Sequence, residues 1–302
     1  MKMKQDFPQS GIAVLCRLFG KTRHAYYDSL WRKEGALVKE DIILQEVLAI
    51  RKDLPRLGTR KLHYVLQVRL MPHKINLGRD YLFDLLSEHK LLVRQRKRKA
   101  FTTDSRHWMR KYGNLVKGLV VSRPEQLWVS DITYIRLINQ WGYLSLITEA
   151  YSRKIMGHSF RQDLLAEGCI DALGMAINNK MYDASLIHHS DRGSQYCSHN
   201  YVAVLLKNNI AISMTENGDP YENALAERVN GIIKTEFNLY GSSLGFEQTT
   251  QQIEKSIKAY NELRPHASCD YLTPNQAHLQ SGNLNKRWKN YNKYYNYEKT
   301  DV

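Results

Sequence analysis

Apolar positions along the first hundred residues recur at helical spacing. In SGIAVLCRLFG (10–20), Ile12, Leu15, Leu18 and Phe19 share one helical face and Gly20 breaks the pattern. Thr22 is placed to cap a second helix carrying Arg23, Tyr26 and Tyr27. Helix, Gly-containing turn, helix is the layout of a helix-turn-helix and equally of an ordinary helical hairpin, and both readings stay open. EDIILQEVLAI (40–50) is amphipathic, and a polar joint spans 51–58. TRKLHYVLQVRL (59–70) and GRDYLFDLLSEHKLL (78–92) form a second helix pair with Pro72 in its loop. This pair reads as a second helix-turn-helix, with a plain helical spacer as the alternative.

From about residue 126 the period changes from helical to alternating. LWVSDITYIRL (127–137), WGYLSLITEAY (141–151) and KIMGHSFR (154–161) predict three strands in an antiparallel meander. A helix over 164–181, a short buried strand SLIHHSD (185–191), a helix over 199–208 and the strand NIAISM (209–214) follow. Two further helices are predicted at 223–238 and 247–263. That order fits an α/β fold, a mixed sheet covered on both faces. The expected organisation is a helical segment at 1–50, a second helical segment at 51–99, a linker at 100–124, the α/β core at 125–280 and a tail at 281–302.

Charge sharpens this division. The 302 residues carry a formal net charge of +14. Residues 1–120 hold +15, residues 121–280 hold −4 and the tail holds +3. A solvated surface would spread the excess evenly, whereas basic arms beside an acidic middle suit a polyanionic partner. The stretch RQRKRK (94–99) is basic at five of six positions, Arg94, Arg96, Lys97, Arg98 and Lys99, and reads as a phosphate-contacting linker. Arg23, Arg60, Lys61 and Arg79 are further candidates on the helices. The tail KRWKNYNKYYNYEKT (286–300) interleaves aromatics with Lys and Asn. It reads as a segment lying along nucleic acid or as a frayed end. A hydrophobic fraction of 43% excludes wholesale disorder, and the apolar runs are too short for a membrane span. The N-terminus lacks an apolar signal region, and Cys16, Cys169, Cys197 and Cys269 make no C-x-x-C pair. The expectation is a reduced, cytoplasmic protein with neither a disulfide framework nor a thiolate zinc site.

An acidic middle needs a reason, and three carboxylates offer one. Asp131 sits inside an apolar strand, on one face with Val129 and Thr133, where a charge is costly unless paired or metal-bound. Asp191 directly follows a strand, where sites gather in such sheets. Glu227 lies on the helix ENALAERVNGIIKTEF, near the edge of the face made by Leu225, Val229 and Ile232. Carboxylates from two strands and a helix can converge on a pair of divalent ions, and oxygen donors favour Mg²⁺ or Mn²⁺ over zinc. Plainer roles exist for each: an ion pair for Asp131, a turn with Arg192 and Gly193 for Asp191, and competition from Glu222 and Glu236 for Glu227. His188, His189 and His199 have no cysteine partner and read as structural or site-lining, with His189 a candidate substrate contact.

The strings around these acids resemble a known family. WVSDITYI (128–135), HSDRGSQY (189–196) and the YENALAE…K segment (221–234), with 35 residues between Asp191 and Glu227, look like the core of a DDE transposase. The match is to the bacterial IS-three insertion-sequence family and its second-reading-frame product. PRLGTRKLHYVL and LGRDYLFDLLSEHKLLVR, within 55–94, resemble that family's helical DNA-binding segment, and YNELRPHASCDYLTPNQA (260–277) its C-terminal string. The resemblance implies a ribonuclease-H-like fold similar to retroviral integrase, a five-stranded mixed sheet with flanking helices preceded by an all-α helix-turn-helix region. It implies Asp131, Asp191 and Glu227 as the catalytic, metal-binding triad and Lys234 as the basic position beside DNA. One departure is the stretch before the glutamate: where the family carries a Cys-Tyr-Asp-Asn-like string, this chain has Asp219, Pro220, Tyr221, Glu222 and Asn223. Asn223 is a candidate site-lining residue.

The implied activity is metal-dependent DNA cleavage and strand transfer at insertion-sequence ends, with two Mg²⁺ or Mn²⁺ ions. The implied partners are the terminal inverted repeats, target DNA, further copies of the chain (at least a dimer on DNA) and an upstream-frame product. The family also implies a circular intermediate. The alternatives are a stand-alone ribonuclease-H-like nuclease and a non-catalytic DNA-binding regulator.

Overall fold

A computed structural model describes residues 8–94, 108–216, 223–239 and 244–287. Arg96, Lys97, Arg98 and Lys99, the 219–222 stretch with Glu222, and the tail from 288 onward lie outside the described residues. Packing divides the chain into two units, Met1–Ile50 with Leu62–Leu92, and Arg51–Lys61 with Val93–Val302. The polar joint therefore groups with the second unit, although its neighbours on both sides in sequence belong to the first.

In the first unit, α1 (Ile12–Leu18) ends at Gly20, whose φ of 61° is a conformation glycine reaches without a Cβ clash. Thr22 Oγ1 then accepts the Ala25 N–H at 3.1 Å, capping α2 as its sequence suggests. The continuity of α2 differs from expectation: it runs unbroken over Arg23–Asp53, merging the second helix with the amphipathic segment at 40–50. The joining residues are mostly good helix formers, and Gly35 alone costs only about 1 kcal/mol. No residue from 23 to 42 is buried; Ile43, Val47 and Ile50 are. α3 (Thr59–Leu70) buries Leu62, Leu66 and Leu70, and α4 (Arg79–Glu88) buries Leu82, Leu85 and Leu86. Tyr81 Oη donates to Glu40 at 2.9 Å, and Arg69 pairs with Glu46 at 3.2 Å. No helix among the described residues is long and apolar enough to cross a membrane.

The second unit is built on a five-stranded sheet in the order β3-β2-β1-β4-β5. β1 (Leu127–Arg136), β2 (Trp141–Glu149) and β3 (Ile155–Arg161) form the expected antiparallel meander, and β4 (Ile187–Ser190) and β5 (Ala211–Met214) add in parallel to the free side of β1. Alternation along β1 sends Trp128 to one face, where it packs in a core with Ile147, Met156, Cys169, Ala172 and Leu173. Leu127 and Val129 point to the other face and meet Ala150 and Ala226. The first face is covered by α5 (Ala166–Asn178), with α6 (Ser194–Cys197) and α7 (His199–Lys207) beside it. α8 (Ala224–Glu236) crosses β1 on the second face, followed by α9 (Phe246–Leu263) and α10 (Pro274–His278). Gly157 sets the approach of α5, because a Cβ there would stand 2.0 Å from the Ala172 carbonyl oxygen. All four cysteines are buried and none is in a disulfide.

A charged cluster fastens α10 to the sheet. Glu125, Glu149 and His278 are fully buried. Glu125 accepts the Met181 and Tyr182 N–H groups at 2.8 and 2.9 Å, and Glu149 accepts those of Tyr151 and Ser152 at 2.9 and 2.7 Å. His278 bridges them, 3.2 Å from Glu125 through Nε2 and 3.7 Å from Glu149 on its Nδ1 side. Burial alone would lower the His278 pKa, but the two carboxylates outweigh it and raise it. Burial would raise that of Glu125, but His278 and the two N–H groups hold it below its usual range.

The stabilisation from His278 is thus present at acidic to neutral pH and lost as pH rises through its raised pKa, whereas that from Glu125 is lost as pH falls through its depressed one. Stability in urea should peak between these limits. His278→Ala leaves two buried carboxylates without their bridging imidazolium and should cost about 3–5 kcal/mol at pH 6. A variant as stable as the wild type there would rule out the bridge.

Candidate active site

Asp131 points from the middle of β1 toward α8. Asn230, buried on that helix, donates its Nδ2–H to Asp131 Oδ2 at 2.8 Å. Burial, and then the negative charge of Asp191, push the Asp131 carboxyl up to about 7; Glu227 adds to the rise and Asn230 opposes it. The Asp131 carboxyl thus feels the charges of both Asp191 and Glu227.

Asp191 follows β4 directly. Its Oδ1 accepts the Gly193 N–H at 3.0 Å, so the turn with Arg192 and Gly193 exists alongside its electrostatic influence on Asp131. Glu227 lies in the first turn of α8 and is exposed. Nine residues later, Glu236 is engaged by the Arg264 guanidinium at 2.7 and 2.8 Å, which removes it as a competitor for the site. Lys234 donates Nζ–H to the Tyr134 carbonyl at 3.3 Å. Burial lowers its pKa, and the charge of Asp131 works the other way, so the ammonium stands close enough to feel that carboxylate. Glu227, Asn230 and Lys234 follow the i, i+3, i+7 rule and line one face of α8.

Asn223 precedes α8 and donates Nδ2–H to the Ser130 carbonyl at 2.9 Å, tying the start of the helix to the residue beside Asp131. His189 is buried between β4 and β5, its Nδ1 2.8 Å from Ser213 Oγ. His188 points to the opposite face, where its Nε2 lies 2.6 Å from Ser130 Oγ and 2.9 Å from Tyr201 Oη. Burial and the neighbouring His189 push its pKa down to about 3, so it is neutral. The residue that sequence reasoning missed is Asn230. Its one available signal was the one-turn spacing from Glu227.

The basic candidates scatter. Arg23 opens α2 and Arg60 lies on α3, both exposed. Arg79 pairs with its neighbour Asp80 at 2.7 Å. Arg94 is exposed and its carbonyl accepts the Arg56 guanidinium at 2.7 Å. Lys61 is turned inward, 3.7 Å from Glu236; burial and the nearby Arg264 push its pKa down to about 8.

Among the described residues, no group of three or more His, Cys, Asp or Glu side chains is assembled closely enough to hold a metal ion. The donor set nevertheless suits one. Its donors are carboxylate oxygens, and the repulsion that raises Asp131 is what a divalent cation would relieve.

Residues 121–220 and 208–274 each match a family model described as an integrase core domain. The 31 kDa uncharacterized protein of insertion element IS600 from Shigella sonnei is 30% identical over 264 residues, covering 86% of this chain and 96% of its own. Transposase InsF for insertion sequence IS3A of Escherichia coli is 34% identical over 163 residues, 54% of this chain and 57% of that one. Among solved structures, the HTLV-2 integrase catalytic core domain in complex with magnesium matches at 22% identity and a TM-score of 0.43, covering 52% of this chain and 97% of that one. With a relative matched along nearly its whole length and the integrase core domain falling on the β-sheet unit, the chain belongs to the IS3 family of insertion-sequence transposases.

Proposed function

We propose that this transposase cuts DNA at the ends of its insertion sequence and joins the freed 3′ end to another phosphodiester, with Asp131, Asp191 and Glu227 holding two Mg²⁺ or Mn²⁺ ions. The observation that carries the reading is the shared field at Asp131, raised by burial, Asp191 and Glu227 together. Bound there, the ions would activate the attacking oxygen and stabilise the leaving one. The chain's own residues supply positioning. Asn230 orients the Asp131 carboxylate, Asn223 fixes the start of the Glu227 helix against β1, and Lys234 holds a cation beside the acids where a DNA phosphate would approach. No side chain need act as a nucleophile. The basic first 120 residues would grip the DNA, and two ends processed together call for at least two copies of the chain on DNA.

Removing even an outer partner of a metal ligand costs about 10–100-fold. Asp131→Asn should therefore lower cleavage and strand transfer with Mg²⁺ by at least about 100-fold on an oligonucleotide carrying the terminal repeat. Gel-shift affinity for that DNA should persist. A variant that still cuts and joins would show the triad to be wrong.

The raised Asp131 pKa also has a sign for stability. Without metal, the folded chain binds a proton that the unfolded chain has already released between the ordinary aspartate range and about pH 7. Stability should fall with rising pH across that window, at up to about 1.4 kcal/mol per pH unit. Asp131→Asn should remove this component, measured by urea denaturation in a chelating buffer, and an unchanged slope would count against the shared field.

Arg23→Gln with Arg60→Gln should weaken DNA binding and reduce the dependence of log affinity on log salt by about 0.9 for each phosphate no longer neutralised. An unaltered salt slope would remove both residues from the DNA surface.

A further inference from the structure

Two strings, PRLGTRK (55–61) and YNELRPH (260–266), carry no chemistry of the reaction, yet both converge on Glu236 at the last turn of α8. Arg264 is 1% exposed and grips the carboxylate with two parallel bonds, Nε to Oε2 at 2.8 Å and Nη2 to Oε1 at 2.7 Å. Its third nitrogen, Nη1, reaches His266 Nε2 at 2.8 Å. Lys61 Nζ stands 3.7 Å from Oε1, and the Arg56 N–H donates to the Glu236 backbone carbonyl at 3.0 Å. One residue is therefore held through both its side chain and its main chain.

The geometry of α8 gives this grip a consequence. Glu236 lies nine positions after Glu227, two and a half turns and about 13.5 Å of rise, so the two acids lie on opposite sides of the helix. On the Glu227 side, Asn230 and Lys234 bond β1. On the far side sits the Arg264–Lys61 grip. At the start of the helix, Asn223 makes no side-chain cap; its amide goes to Ser130 instead. Polar contacts therefore hold α8 to β1 on one side and at Glu236 on the other, beside a buried apolar face of Ala226, Val229, Ile232 and Ile233. Burial would favour a neutral Glu236, but Arg264, Lys61 and Arg228 outweigh it and keep the carboxylate ionised.

We propose that Glu236, clamped by Arg264, Lys61 and the Arg56 N–H, is a positioning residue that sets the rotation of α8 and so the placement of Glu227. The inference rests on the reading of Glu227 as a metal-holding carboxylate. It assigns Lys61 to the catalytic helix and not to a DNA phosphate, and it gives the RPH string a role in shaping the site.

The test uses the full-length chain with Lys61→Met, Lys61→Arg and Glu236→Gln, and Asp131→Asn alongside. Four quantities are read: the thermal midpoint without metal, Mn²⁺ affinity by electron paramagnetic resonance, affinity for terminal-repeat DNA, and kcat against KM for strand transfer. Lys61→Met removes the cation from a partly exposed position, so it keeps the test alive should Glu236→Gln fail to fold. Its expected signature is an unchanged midpoint and DNA affinity, Mn²⁺ binding about ten-fold weaker, a lower kcat at constant KM, and recovery in Lys61→Arg. Unchanged Mn²⁺ affinity and kcat in Lys61→Met would overturn the proposal. So would a loss of DNA affinity with Mn²⁺ binding intact, which would place Lys61 against a phosphate. If Asp131→Asn binds Mn²⁺ like the wild type, the metal reading itself falls, an outcome separate from failure of the clamp.

Discussion

A carboxylate in the middle of a central strand is unfavourable to desolvate, and half-buried Asp131 brings that constraint into the second unit. Asp131 occupies a position that packing alone would give to valine, with Val129 and Thr133 as its neighbours on the same face. Desolvation, with repulsion from two more acids, pushes the carboxyl up to about 7. The Asn230 amide supplies one hydrogen bond to it, and the Lys234 ammonium stands close while donating to the Tyr134 carbonyl. The sheet and α8 are fastened elsewhere.

Those fastenings account for much of what lies away from the three acids. Glu125, Glu149 and His278 bind the ends of β1 and β2 to α10, whose own start is closed by a reciprocal capping box between Thr273 and Gln276. Asn261 pairs both its amide atoms with the Ile155 backbone at 3.0 and 2.9 Å, and Tyr260 donates to the Arg153 carbonyl at 2.9 Å. The C-terminal string that resembles the family's is therefore largely architectural in this unit. Arg264 and His266 are buried, Arg264 is spent on Glu236, and Tyr260 and Asn261 are spent on backbone groups, an arrangement that fixes position sharply because a slip leaves an unpaired polar group in the interior.

What was legible in the sequence follows from the same physics. The alternation of β1 and β2 and the periodicity of α5, α7, α8 and α9 show plainly because one face of each is buried, and burial writes a period into the residues. Along α2 the pattern fails from residue 23 to 42, where no side chain is buried; the helix continues on propensity alone, which periodicity cannot report. Asp131 and Asp191 stood out because each is a charge where an apolar strand or its end leads one to expect otherwise. Asn230 did not, since a polar residue on a helix is unremarkable until the carboxylate it serves is known. Glu236 was open to misreading for the opposite reason. An acid near Glu227 in sequence looks like a rival until the helix turns it to the other side, toward Arg264.

The distribution of charge takes on a different sense in this light. A net +14 describes a chain attracted to DNA as a whole, but the excess lies in the first 120 residues while the core carries −4. Some cations of the second unit are paired with acids away from the three carboxylates: Arg264 and Lys61 with Glu236, Arg161 with Asp163 and Asp171, and His278, when protonated, with two glutamates. A phosphodiester brought against the three carboxylates would meet like charge at short range. Under the proposed chemistry a divalent cation is therefore needed for electrostatic reasons before any role in bond breaking is considered. On that proposal, DNA held by the basic segments and DNA admitted to the acids would be separate events, kept apart by the acids' own repulsion until metal is bound.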